Sequence, residues 1–146
     1  MISLFSIQDP GNSIEWMLYL ADKYAGMFWE GTKLTLFIAV LGTILGFVLG
    51  YVIGIIQDAK INKGDHILKK ALLRLIKAIV TVYVEIFRDT PMIVQAMIIY
   101  FGIREANIEI DPVSAGVLVT VLNTGAYMAE TVRAGIGSID LGQREG

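Results

Sequence analysis

The chain has no cysteine, which excludes disulfides, thiolate-bound zinc, iron–sulfur clusters and thiol nucleophiles in one step. It has a single histidine, His66, so no histidine pair is available for a metal, and the sequence offers no nucleophile–base arrangement around that one imidazole. We read His66 as a solvated loop residue. Charged residues are scarce, at 18% of 146. No Gly-x-x-x-x-Gly-Lys-Ser/Thr loop is present for a nucleotide phosphate, and no basic n-region opens the chain as in a secretory signal peptide. What replaces these is apolar: 55% hydrophobic residues and a mean hydropathy of +0.63, gathered in long runs. That is the profile of an all-α integral membrane protein.

Residues 1–30 combine turn formers at 9–13 with an amphipathic stretch, Ile14 to Trp29. Its rings Trp16, Tyr19, Tyr24, Phe28 and Trp29 suit the headgroup region, and the expectation is an extracytoplasmic, interfacial helix. Residues 34–56 carry no charge and are long enough to span a bilayer. Gly42, Gly46, Gly50 and Gly54 recur there every fourth residue, a face that lets another helix approach closely.

The chain then turns basic through Lys60, Lys63, Lys69, Lys70, Arg74 and Lys77, which predicts a cytoplasmic loop and an outside-to-inside first span. A second span is expected at 75–102, bent at Pro91, whose ring crowds the Phe87 carbonyl and offers it no amide hydrogen. Thr90 is biased away from helix as the residue before proline. Polar residues of this span, Thr81, Glu85, Arg88 and Gln95, fall on one stripe. Glu85 and Arg88 stand one turn apart and form either a self-neutralised pair near the interface or part of a polar face lining a passage.

A third span is expected at 112–132, started by Asp111 as N-cap and Pro112 at the first helical position. Its polar members Asn123, Tyr127 and Glu130 share a face, and Glu130 can pair with Arg133. The reading is thus three transmembrane helices, N-terminus outside and C-terminus cytoplasmic. Asp140 and Gln143 have capping-box spacing at the start of another helix near 140–146, from which we expect 146 residues not to be the whole protein.

Several ordered motifs resemble one family. Thr32 to Leu36, Tyr83-Val-Glu-Ile-Phe-Arg-Asp-Thr-Pro91 with Val94-Gln95, Ile99-Tyr-Phe-Gly102, Gly125-Ala-Tyr-Met-Ala-Glu130 with Arg133, and Ser138-Ile-x-x-Gly142-Gln143-x-Glu145 are similar to the permease subunits of type I ABC importers, in the branch for polar amino acids such as glutamine, histidine and arginine. Two departures stand out: Asp89 replaces the family's glycine before Thr-Pro, and Gly146 replaces the first alanine after Gly-Gln-x-Glu. The resemblance implies a five-helix permease domain over 31–146, incomplete here. It also implies a bacterial plasma or inner membrane and a multi-pass topology.

The implied partners are a second permease subunit, cytoplasmic ATP-binding subunits and an extracytoplasmic amino acid-binding protein. Asp140, Gly142, Gln143 and Glu145 would contact the ATPase, which alone would bind ATP; this chain needs no metal, cofactor or nucleic acid and is not itself an enzyme. Glu85, Arg88, Gln95, Asn123 and Tyr127 are the candidate substrate and translocation-path residues, with Thr90 and Pro91 as the hinge. A different class stays open, a non-transporting scaffold or degenerate fragment that uses the glycine face. An ion channel is less well supported, since no ring of like charges or filter sequence is apparent.

Overall fold

The computed structural model describes residues 11–61 and 66–139, all helix and connection. There are five described helices: α1 (Ser13–Lys23), α2 (Ala25–Asp58), α3 (Ile67–Asp89), α4 (Met92–Glu105) and α5 (Pro112–Gly137). The chain divides into two compact units, residues 1–37 and 38–146.

The first unit begins with a reciprocal cap. Asn12 accepts from the Glu15 amide at 2.9 Å and Glu15 returns to the Gly11 amide at 2.7 Å, which satisfies donors left free at the start of α1. Trp16, Met17, Leu20, Phe28 and Trp29 are exposed, an apolar surface suited to a membrane interface.

In the second unit the four glycines of α2 are buried and face α5. A β-carbon on Gly42 would meet Thr120, one on Gly46 Thr124, one on Gly50 Gly125 and Met128, and one on Gly54 Val132, each nearest approach falling at 2.5–2.7 Å. Only hydrogen on these α-carbons allows the two helices to pack this closely, and their close backbone approach supplies the van der Waals attraction that holds helices together in lipid. α3 packs on α5 as well, so Ile53, Val84 and Ala129 from three helices form a buried cluster flanked by Leu49, Val80 and Tyr83. Gly125 makes room for this junction: Tyr83 donates its hydroxyl to the Leu122 carbonyl at 2.6 Å beside it.

The single bent helix expected over 75–102 is two helices. α3 begins earlier, at Ile67 with His66 as N-cap. It ends at Asp89, because Thr90 and Pro91 are extended, with ψ of 139° and 135°. Steric exclusion of the α region before proline and the missing proline donor act at the same place. α4 continues to Glu105, where Asn107 takes a left-handed conformation, φ 58°, one that asparagine tolerates. By length and composition α2 and α5 are the two described helices apolar enough to cross a membrane. Many large apolar side chains on α2, α3 and α4 are exposed, among them Phe47, Val48, Leu72, Ile79, Val82, Ile86, Ile93 and Ile98, a surface that lipid would cover.

Candidate functional site

The polar stripes of α3 and α5 meet, but they separate into two groups. The first surrounds the break. A helix leaves its last carbonyls without partners, and here side chains take them up. Thr90 donates to the Ile86 carbonyl at 2.7 Å. Gln95 Nε2 donates to the Phe87 carbonyl at 2.8 Å, with Asn123 Nδ2 at 3.4 Å from the same oxygen. The Tyr127 hydroxyl lies 3.4 Å from the Arg88 carbonyl. Gln95 and Asn123 are joined by a further bond of 3.2 Å. At the Phe87 carbonyl, Gln95 and Asn123 stand in for the amide that Pro91 lacks.

The second group lines a polar cavity of about 360 Å³ formed by Gln57, Lys77, Thr81, Val84, Glu85, Arg88, Glu130 and Arg133. Arg133 grips Glu130 through two hydrogen bonds, 2.6 and 3.1 Å, as their spacing suggests. Arg88 pairs with the same carboxylate across the helices at 3.6 Å. The pairing open to Glu85 and Arg88 along α3 is therefore not made; Arg88 turns to Glu130, and Glu85 makes none of the ion pairs among the described residues. Arg88 also lies 5.9 Å from the centre of the Tyr127 ring, within reach of a cation–π attraction. Lys77 is anchored to the Gln57 carbonyl at 2.9 Å.

Of the candidate residues, Glu85 and Arg88 line the cavity, Tyr127 flanks it, and Gln95 and Asn123 sit at the break instead. Lys77 was legible as a member: it precedes Thr81 by four residues and so extends the stripe by a turn. Gln57 carried no such signal. Asp140, Gly142, Gln143 and Glu145 lie outside the described residues. Among the described residues no cluster of three acidic, histidine or cysteine side chains is placed to hold a metal ion.

This helical chain, with apolar outer faces and a charged cavity between packed helices, is similar to several known membrane permeases. No protein-family model matches the chain. It is 38% identical over 132 residues to a permease protein named for a glutamine transport system in Rickettsia prowazekii (strain Madrid E), covering 88% of this chain and 55% of that protein. It is 36% identical over 118 residues to the glutamine transport system permease protein GlnP of Escherichia coli (strain K12), covering 80% of this chain and 48% of that one. A crystal structure described as an amino acid ABC transporter with histidines superposes with a TM-score of 0.72 and 29% identity, covering 94% of this chain and 56% of that one.

The chain is a relative of proteins named as permeases of glutamine transport systems, and its fold is that of part of an amino acid ABC transporter. It spans about half the length of the curated relatives it matches.

Proposed function

We propose that this chain is part of the membrane permease of a bacterial importer of polar amino acids, and that the α3–α5 cavity belongs to its translocation path. The observation that carries the reading is the cavity itself. Charged groups are costly at membrane depth and are kept where they line water or meet a solute. Here they stand between helices whose outer faces are apolar, in a chain similar to amino acid permeases.

The chemistry fits an amino acid zwitterion. The ion pair that Arg88 makes is a 3.6 Å contact with Glu130, a carboxylate that Arg133 already holds. The Arg88 guanidinium is the cation to accept an α-carboxylate, for which a planar two-pronged donor is well shaped. Glu85 is the carboxylate to meet the α-ammonium.

The proposal includes three crossings: α2, the α3–α4 pair, and α5. With the basic stretch Lys60–Lys77 on the cytoplasmic side, the N-terminus is outside, α2 runs inward, α3–α4 outward and α5 inward again. Gln57, Lys77 and Arg133 then put the cavity toward the cytoplasm. The permease domain extends over 31–146 after an interfacial segment, in the bacterial plasma or inner membrane. A second permease subunit would complete the path, a binding protein would deliver the amino acid, and cytoplasmic ATPase subunits engaging Asp140, Gly142, Gln143 and Glu145 would bind and hydrolyse ATP. The scaffold alternative loses its main support, because α5 of the same chain occupies the glycine face.

The test is uptake of labelled glutamine into proteoliposomes holding the complete permease, its ATPase and its binding protein. ATP-dependent uptake that falls strongly in Glu85→Ala and Arg88→Ala is the expected result. Uptake indifferent to ATP would remove the importer reading, and uptake indifferent to both substitutions would remove the cavity from the path.

A further inference from the structure

Gln95 is 5% exposed, the buried polar side chain among the described residues. Its stripe position suggests a substrate ligand, yet its bonds point the other way. Beyond the Phe87 carbonyl, Nε2 lies 2.9 Å from both the Thr90 carbonyl and the Thr90 hydroxyl oxygen. Oε1 accepts from Asn123. A primary amide has two hydrogens and a carbonyl oxygen with two lone pairs, so three acceptors around Nε2 and a donor at Oε1 take both hydrogens and one of the lone pairs within the protein.

The acceptors are also particular. Phe87 is the residue whose carbonyl loses its donor to Pro91, and Thr90 is the extended residue that separates α3 from α4. This one amide therefore ties the last turn of α3 to the break that follows it. The next carbonyl along, that of Arg88, is the one Tyr127 reaches, and the Arg88 guanidinium is the one facing Glu130.

We infer that Gln95 is a positioning residue and not a ligand. It supplies the hydrogen bond that Pro91 withholds, pins the last turn of α3 to α4 and, through Asn123, to α5, and so fixes where the Arg88 guanidinium stands in the cavity. The pin is a statement about the structure alone; its effect on substrate rests on the reading of Arg88 given above.

Two double-mutant cycles in the complete permease test these halves separately. The first reads thermal unfolding in lipid nanodiscs for Gln95→Met, Pro91→Ala and the pair. Alanine at 91 restores an amide hydrogen and lifts the steric bar on helix at Thr90, which lets α3 extend and the Phe87 carbonyl take that amide, so the stability lost in Gln95→Met is expected to shrink by half or more in the Pro91→Ala background. An equal loss in both backgrounds would overturn the pin. If Gln95→Met does not assemble, Asn123→Ala removes the weaker 3.4 Å bond to the same carbonyl and must show the same coupling at smaller size.

The second cycle reads the half-saturating glutamine concentration for uptake. Gln95→Met is expected to raise it roughly tenfold when Arg88 is present, the scale of partly losing a charge-assisted hydrogen bond, and to add nothing in the Arg88→Ala background. Additive effects would make Gln95 a ligand and overturn the positioning role. If Arg88→Ala alone left half-saturation unchanged, the role given to Arg88 and the positioning claim would both fall, while the unfolding cycle would still judge the pin.

Discussion

Gly50 of α2 and Gly125 of α5 pass so closely that a β-carbon on Gly50 would stand 2.5 Å from the Gly125 carbonyl oxygen and 2.9 Å from the Ala129 amide nitrogen. Both neighbours are backbone atoms of one helix, which cannot rotate away as a side chain can. Gly50→Ala therefore has to push α2 from α5. We expect it to destabilise the fold by about 3 kcal/mol or more, the upper range for overpacking, and to reduce the amount of folded permease recovered from membranes. Gly102→Ala, with nothing within 4 Å of the added carbon, is the control and is expected to be tolerated. Equal recovery of the two variants in fluorescence-detected size exclusion would contradict the packing.

Gly125 offers a reversible version of the same experiment. A β-carbon there would lie 2.9 Å from the Tyr83 hydroxyl oxygen and 3.0 Å from a Leu49 methyl. Gly125→Ala should displace the tyrosine and break its 2.6 Å bond to the Leu122 carbonyl. Tyr83→Phe removes the obstructing oxygen at the cost of one hydrogen bond, about 0.6 kcal/mol on average within membrane helices. Gly125→Ala is thus expected to be less harmful in the Tyr83→Phe background, by thermal unfolding, whereas independent sites would show simple addition.

These contacts bear on how much was readable beforehand. A four-residue glycine period in an uncharged run describes a groove with no tertiary information, because spacing alone puts the residues on one face; the identity of α5 as its occupant is a long-range fact that spacing does not contain. The helix start at Asp111-Pro112 is legible for the same reason, being local. The region around Pro91 was partly legible. Sequence locates the break but treats the stripe as continuing through it, which aligns Gln95 with Glu85 and Arg88. Two extended residues, Thr90 and Pro91, interrupt the helical register, and Gln95 is brought back beneath Phe87 instead. Likewise, i to i+3 spacing offers Glu85 to Arg88, but the competing carboxylate of Glu130 lies 42 residues on and becomes visible only when α3 packs on α5.

Asp111 gives a prediction in pH. Its carboxylate caps α5 by accepting from the amides of Val113 and Ser114 at 2.9 and 3.0 Å and from the Ser114 hydroxyl at 2.5 Å. The Ser114 hydroxyl and amide bonds hold its pKa below the ordinary carboxylate value. A depressed folded-state pKa contributes stability that is present above the unfolded value, near 3.9, and is lost as pH falls through the lower folded value. Protection of the Val113 and Ser114 amides from hydrogen exchange should accordingly be flat from pH 7 to about 5 after correction for the intrinsic rate, and decline only below about 4. In Asp111→Asn, which keeps an acceptor without a titrating group, that decline should disappear; Asp111→Ala should lack the protection at every pH.

Glu130 provides the sharpest check on the electrostatics of the cavity. It is shared between Arg133, at 2.6 Å, and Arg88, at 3.6 Å. As a partly exposed ion pair its worth to stability is small, on the order of 0–1 kcal/mol, so Glu130→Gln should fold. The potential inside the cavity is another matter, since Lys77, Arg88 and Arg133 would then face Glu85 as the only remaining carboxylate of the lining. A cationic substrate side chain loses an attractive charge and meets a freed guanidinium, while a neutral one is indifferent to the change. At partly screened separations of a few ångströms the difference is about 1.4 kcal/mol, or tenfold. Uptake of labelled arginine should therefore weaken about tenfold relative to glutamine in Glu130→Gln, more at low salt than at high. An unchanged arginine-to-glutamine ratio would mean that the transported amino acid does not pass within reach of Glu130, and the path would have to be drawn elsewhere on α3.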